Sequence, residues 1–237
     1  MAVTDLVLRK DPGEVWRVGF RPNAWAWSDW KYAPDDGKFN GRWDDIHGQF
    51  RTVYAGESLF ACLIEVLAKY RVDAVLAAAL ELIEEDAADM TEFPSRPAAT
   101  VSYRWLEERE ASRATLSGTF CAVTESESIA ALYPHFVVPA RQLGKVDFDA
   151  AALKDSGPRN LTRSIASWLY DQVEPSVDGV EFTSRHGDDL RLWAIFERLY
   201  AESNISSRLS RITVAALTPE TPAVVRVFSM LHLAWAD

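Results

Sequence analysis

The feature that most restricts this chain is a strand that hands over to a capped helix within a few residues. FRTVYA, residues 50–55, has Phe50, Thr52 and Tyr54 on one side and Arg51, Val53 and Ala55 on the other, the alternation of a strand. Ser58 then stands where a hydroxyl can accept a backbone N–H at the start of a helix. Leu59, Cys62, Leu63, Val66, Leu67 and Tyr70 follow at helical spacing and form one apolar stripe. A strand feeding an amphipathic helix calls for layers of both kinds of element.

The flanking segments extend that pattern irregularly. VWRVGF, residues 15–20, reads as a strand and opens onto a long aromatic loop, with Trp25, Trp27, Trp30 and Trp43 among Pro, Gly, Asn and Asp. The tryptophan loop at 25–30 is expected to pack as structure, with a lid over a cleft as the alternative. Residues 74–86 fit either helix or strand, 91–99 read as a loop, and 104–110 as a short helical or edge segment. Beyond them, a strand is expected from Gly118, a helix opened by Ser126 or Ser128, and a helix over 160–170. A strand over 180–183, a helix through LRLWAIFERLY capped by Asp188 or Asp189, a strand over 212–217 and a helix over 222–235 complete the reading. This order predicts an α+β fold with a mixed sheet. No glycine-rich nucleotide motif follows any expected strand.

At 237 residues, 48% of them hydrophobic, the chain suits one domain with a substantial core. It has no run of about twenty apolar residues, and its N-terminus carries charge within ten residues, so the expected location is cytoplasmic. Cys62 and Cys121 both sit in apolar runs as core thiols. The four histidines lack metal-ligand spacing, and no metal is expected. A net charge of −10 disfavours nucleic acid but leaves room for a small anion held by arginines.

Two stretches carry a family resemblance: GRWDDIHGQFRTVYAGESLFACLIEVL over 41–67 and DGVEFTSRHGDDLRLWAIFE over 178–197. Together they resemble the RES-domain family, whose pattern is an arginine turn, a strand ending in tyrosine, a helix with a glutamate and a later serine. Matched position by position, these fall on Arg42, Tyr54, Glu65 and Ser184, and WRVG with Arg17 and the 160–170 helix add to the likeness. The likeness spans about residues 15–200, with 201–237 as a C-terminal extension and 85–118 as extra length. Phe182 departs from the pattern, standing where the family has tyrosine.

The resemblance implies an ADP-ribosyltransferase-like split mixed β-sheet flanked by helices around an NAD⁺ cleft. It further implies cleavage of the nicotinamide–ribose bond by a toxin silenced by an Xre-type antitoxin. NAD⁺ would be the substrate and no metal would be needed. In that frame Arg42, with Arg17 and Arg185, would grip the pyrophosphate. Tyr54 would stack on nicotinamide, Glu65 would stabilise the cationic ribose, and Ser184 would orient ribose or carboxamide. Taken singly the same residues are bland: Glu65 an i,i+4 ion pair with Lys69, Arg42 a loop arginine, Tyr54 half-buried core, Ser184 and His186 polar groups of a turn. A protein ADP-ribosyltransferase and a silent nucleotide-binding module are the alternative functions, and a homodimer is possible. The C-terminal run VVRVFSMLHLAWAD is an antitoxin-facing candidate, or else Phe228, Leu231 and Leu233 close the core.

Overall fold

A computed structural model describes residues 5–72, 99–198 and 203–236. Eight strands form one mixed sheet in the order β1-β6-β7-β8-β3-β2-β5-β9. These are β1 (Leu8–Lys10), β2 (Gly13–Phe20), β3 (Thr52–Gly56), β5 (Arg109–Leu116), β6 (Thr119–Ala122), β7 (Gly179–Ser184), β8 (Gly187–Phe196) and β9 (Leu209–Ala215). A parallel ribbon of β4 (Thr100–Ser102) and β10 (Ala234–Ala236) lies apart from it. The helices are α1 (Leu59–Leu67), α2 (Arg104–Glu107), α3 (Ser126–Gln142), α4 (Ala150–Lys154), α5 (Asn160–Tyr170) and α6 (Pro222–Leu231). The expected α+β class, a mixed sheet flanked by helices, is found.

Strand alternation separates the two faces of this sheet. Tyr54, Leu192, Ala194, Phe182 and Val180 face the core built with α1, α3, α5 and α6. Val53, Ala55, Trp193 and Ile195 face the other way, onto Trp25 and Trp27 of the loop after β2. That loop is irregular apart from a single turn at Trp30–Tyr32, and its rings fill space where no helix lies. Trp25 is fully buried and its indole N–H donates to Ser112 Oγ at 2.8 Å. The tryptophan loop is therefore packing on the face away from α1.

β2 and β3 share one register pair, Trp16 with Gly56, whereas β2 pairs with β5 along its whole length. The sheet opens just beyond that pair. Arg17 fills the opening: its Nη1 donates to the Tyr54 carbonyl at 2.6 Å and its Nε to the Ala24 carbonyl. One strand carbonyl that a continuous ladder would have paired and one loop carbonyl are thus satisfied by one guanidinium.

Several expectations need correction. The described part of LRLWAIFERLY, residues 190–198, is no helix; residues 187–196 form β8, paired on one side with β7 and on the other with β3. Its period misled because a strand covered on both faces is apolar nearly throughout, and here 192–196 are all buried. The last strand of the sheet spans 209–215 rather than 212–217, and the C-terminal helix stops at Leu231. There His232 takes a left-handed conformation (φ 54°), and the chain turns into β10. Ser126 is the first residue of α3, whose cap position is Glu125. Val224, Val227, Phe228 and Leu231 are buried and α6 packs on α1, so the apolar C-terminal run closes this chain's own core. The segments read as 74–86 and 91–98 lie outside the described residues.

Candidate active site

A cleft of about 450 Å³ opens where β2 and β3 part, between α1, the turn at 41–44, the corner before α5 and the β7–β8 turn. It collects residues distant in sequence: Arg17, Arg42, Tyr54, Glu65 and Arg185 all line it. Arg159 and His186, not anticipated as site groups, line it as well.

Each wall follows from local sequence. β3 ends at Gly56, where a Cβ would meet Cys62 Sγ at 2.9 Å, so α1 can pass close to the strand. Ser58 Oγ accepts the Ala61 N–H at 3.1 Å and opens α1 as expected. The apolar side of α1 is buried through Ala61, Cys62, Leu63, Ile64 and Leu67, leaving Glu65 exposed toward the cleft. Cys62 also touches the cleft, but burial pushes its thiol up to about 12, and its Sγ donates to the Trp16 carbonyl at 3.0 Å. It stays a neutral thiol at ordinary pH and offers no thiolate nucleophile.

Glu65 is not held by Lys69. Among the described residues its hydrogen-bond partner is Ser184, whose Oγ donates to Glu65 Oε1, while Lys69 Nζ lies 5.1 Å from the Tyr70 ring centre. Ser184 Oγ also accepts the His186 N–H at 2.9 Å, and the residue is 1% exposed. Its hydroxyl is thus directed at the glutamate and the turn, not at open cleft.

Tyr54 is equally committed. Its hydroxyl accepts the Trp43 N–H at 2.8 Å and donates to Asp44 Oδ1 at 2.9 Å, so only its ring is free to meet a ligand. Burial, with Asp44 adding to it, raises this phenol well above its ordinary value. Arg42 extends from the turn those bonds hold. Two of its five N–H donors go to the Leu153 and Lys154 carbonyls, at 3.3 and 3.0 Å. Burial lowers the Arg42 pKa most; Glu65 opposes the shift, and Arg185 and Arg159 reinforce it.

Besides Arg17 in the seam, three guanidiniums, Arg42, Arg159 and Arg185, therefore crowd one cleft. Arg159 donates to the Asn40 carbonyl and Arg185 to His186 Nε2 at 3.4 Å. Glu65 is the one carboxylate that lines the cleft among the described residues. Such a surplus attracts anions. Burial lowers the His186 pKa first; Glu65 opposes, and the cations Arg185, Arg71 and Arg42 add to the lowering. Arg159 was invisible in the sequence because it precedes the periodic run of α5 and belongs to no motif; only the fold brings the corner before α5 to α1. Asp44 stood inside the quoted 41–67 stretch, without a signal of its own.

The chain is similar to a chain in the crystal structure of the M. tuberculosis MbcT–MbcA toxin–antitoxin complex, with 14% identity over 89% of this chain and 87% of that one. The TM-score of 0.43 makes that a distant likeness on which nothing further rests. No curated protein matches by sequence. The RES domain model matches residues 14–211, from β2 to the start of β9 and including every wall of the cleft, and the chain belongs to the RES domain family.

Proposed function

We propose that this protein binds NAD⁺ in the cleft and cleaves its nicotinamide–ribose bond, acting as a toxin that an antitoxin partner restrains. The observation that carries the reading is the asymmetry of the cleft, with Arg42, Arg159 and Arg185 gathered about a single carboxylate, Glu65. A pyrophosphate suits the guanidiniums, which form forked bonds to its oxygens. The Tyr54 ring offers a flat face to nicotinamide.

As the C1′–N bond breaks, its electron pair leaves with neutral nicotinamide and the ribose becomes an oxocarbenium ion. Glu65 supplies the opposing charge there. Ser184 fixes the carboxylate's orientation from behind. Water or inorganic phosphate then adds to C1′, giving ADP-ribose plus a proton, or its 1-phosphate. Family membership supports the toxin part of the reading, as the resemblance to RES toxins implies.

The test is incubation of the purified chain with NAD⁺ and chromatographic measurement of free nicotinamide. Release that needs only the protein supports the reading. NAD⁺ bound but intact would make this a nucleotide-binding module, and no binding at all would remove NAD⁺ from the account.

A further inference from the structure

We propose that Asp44 is a positioning residue of this cleft: its buried carboxylate sets the Arg42 turn and the Tyr54 ring together, so anion binding depends on a side chain that lines no part of the cleft. The inference rests on the reading of the cleft as a pyrophosphate site.

Asp44 is 7% exposed, and both its oxygens are taken by donors. Oδ2 accepts the Gly41 N–H at 2.5 Å and Oδ1 accepts the Tyr54 hydroxyl at 2.9 Å. That hydroxyl in turn accepts the Trp43 N–H at 2.8 Å. The residues on both sides of Arg42 are therefore tied to one carboxylate–phenol pair. The closure is tight: a Cβ on Gly41 would lie 2.5 Å from the Tyr54 hydroxyl and 2.6 Å from Asp44 Oδ2, so only glycine fits. Burial raises the Asp44 pKa, and the bonds from Gly41 and Tyr54, with the charge of Arg163, work against it. Arg163 grips the same turn, donating to Asn40 Oδ1 at 3.2 Å and to the Asp45 carbonyl at 3.0 Å.

The arrangement needs two acceptors facing two donors, which a carboxylate has and an amide lacks. In Asp44→Asn the amide oxygen can take the fixed Gly41 N–H, but its NH₂ then meets the Tyr54 oxygen and strands the buried hydroxyl hydrogen. Shape is kept while the buried Tyr54 hydroxyl loses its acceptor and the tie between the turn and β3 weakens. Arg42 loses its register against the other guanidiniums, and the ligand's anionic part loses grip.

The experiment uses the full chain, with ADP-ribose as the calorimetric probe and NAD⁺ turnover measured beside it. Asp44→Asn is expected to weaken ADP-ribose binding about tenfold and raise KM in step, with kcat at saturating NAD⁺ within about threefold of wild type. Tyr54→Phe keeps the ring and is expected to weaken the probe similarly, though its missing hydroxyl touches no ligand. It also stands in should the first variant not fold. The double variant is expected to bind no worse than about threefold below the weaker single, since one linkage is cut twice. Unchanged ADP-ribose affinity in either single variant overturns the proposal, as does a fall in kcat with KM unaltered, the mark of mere loss of folded protein. Wild-type protein that binds no ADP-ribose overturns the pyrophosphate reading itself, a separate result.

Discussion

The two faces of the sheet solve different problems with similar residues. On the face under the tryptophan loop, Val15, Val53, Ala55, Leu116 and Ile195 meet Trp25 and Trp27, and the Trp25 N–H is answered by Ser112. On the other face the apolar core is interrupted by the cleft, where three guanidiniums face one carboxylate. Several arginines elsewhere are paired with acids: Arg51 with Glu197, Arg9 with Glu181, Arg208 with Asp178. At the cleft Arg42 and Arg159 are held by backbone carbonyls instead, which orient them and leave their charge uncompensated. Stability alone does not favour such a cluster, whereas the anion binding proposed above would. One face can therefore be damaged with a loss of folding alone, and the other with a loss of chemistry alone.

The sharpest test of that division is on the tryptophan face. Trp25→Ala leaves a void under β2, β3 and β5 and is expected to lower stability by about 3–5 kcal/mol, or the melting temperature by roughly 10 °C. Nicotinamide release per folded molecule should be unchanged. A melting shift under about 3 °C, or a loss of turnover in protein that melts normally, would break the comparison by tying the loop to the cleft.

Legibility in the sequence followed the same division. The β3–α1 unit and the α5 helix were readable because one buried side imposes a period: Ser58 caps as expected and Leu63 and Leu67 are fully buried. β8 was misread since both its faces are covered, which erases the period that separates strand from helix. Within the cleft, Arg42, Tyr54 and Glu65 were found by resemblance, while Arg17 shows what resemblance misses. It was expected on phosphate, yet its bonds to the Ala24 and Tyr54 carbonyls make it part of the sheet's seam. Arg159 needed the fold, because its neighbours in the cleft come from α1 and the β7–β8 turn, over ninety residues away in one case.

On the charged face, Glu65→Gln sharpens the comparison from the other side. The amide retains volume and can still accept the Ser184 hydroxyl, so folding should be preserved, with melting within about 2 °C of wild type, as for an exposed position. The charge opposite the oxocarbenium ion is gone, and nicotinamide release is expected to slow about a hundredfold, or about 2.7 kcal/mol in the barrier. Turnover within threefold of wild type would return Glu65 to the role of a solvated helix residue.

A smaller effect is expected at Ser184, and it separates a residue that holds the carboxylate from one that meets the substrate. The side chain is buried, donates to Glu65 Oε1 and accepts the His186 N–H, so its geometry is that of a brace. Ser184→Ala removes the brace but leaves the Glu65 charge in the cleft. The cost is one hydrogen bond to a charged group, about 1.5 kcal/mol, which corresponds to a fall in kcat of about tenfold. KM should move less than threefold, since the guanidiniums that hold the anionic part are untouched. In a Glu65→Gln background the same substitution should cost almost nothing more, because two residues acting through one interaction are not additive. A hundredfold loss that persists in that background would instead mean that Ser184 reaches the substrate directly, turning toward the cleft once NAD⁺ is bound. An unchanged kcat would mean that α1 alone fixes Glu65, and the two faces would then differ in charge but not in how their side chains are held.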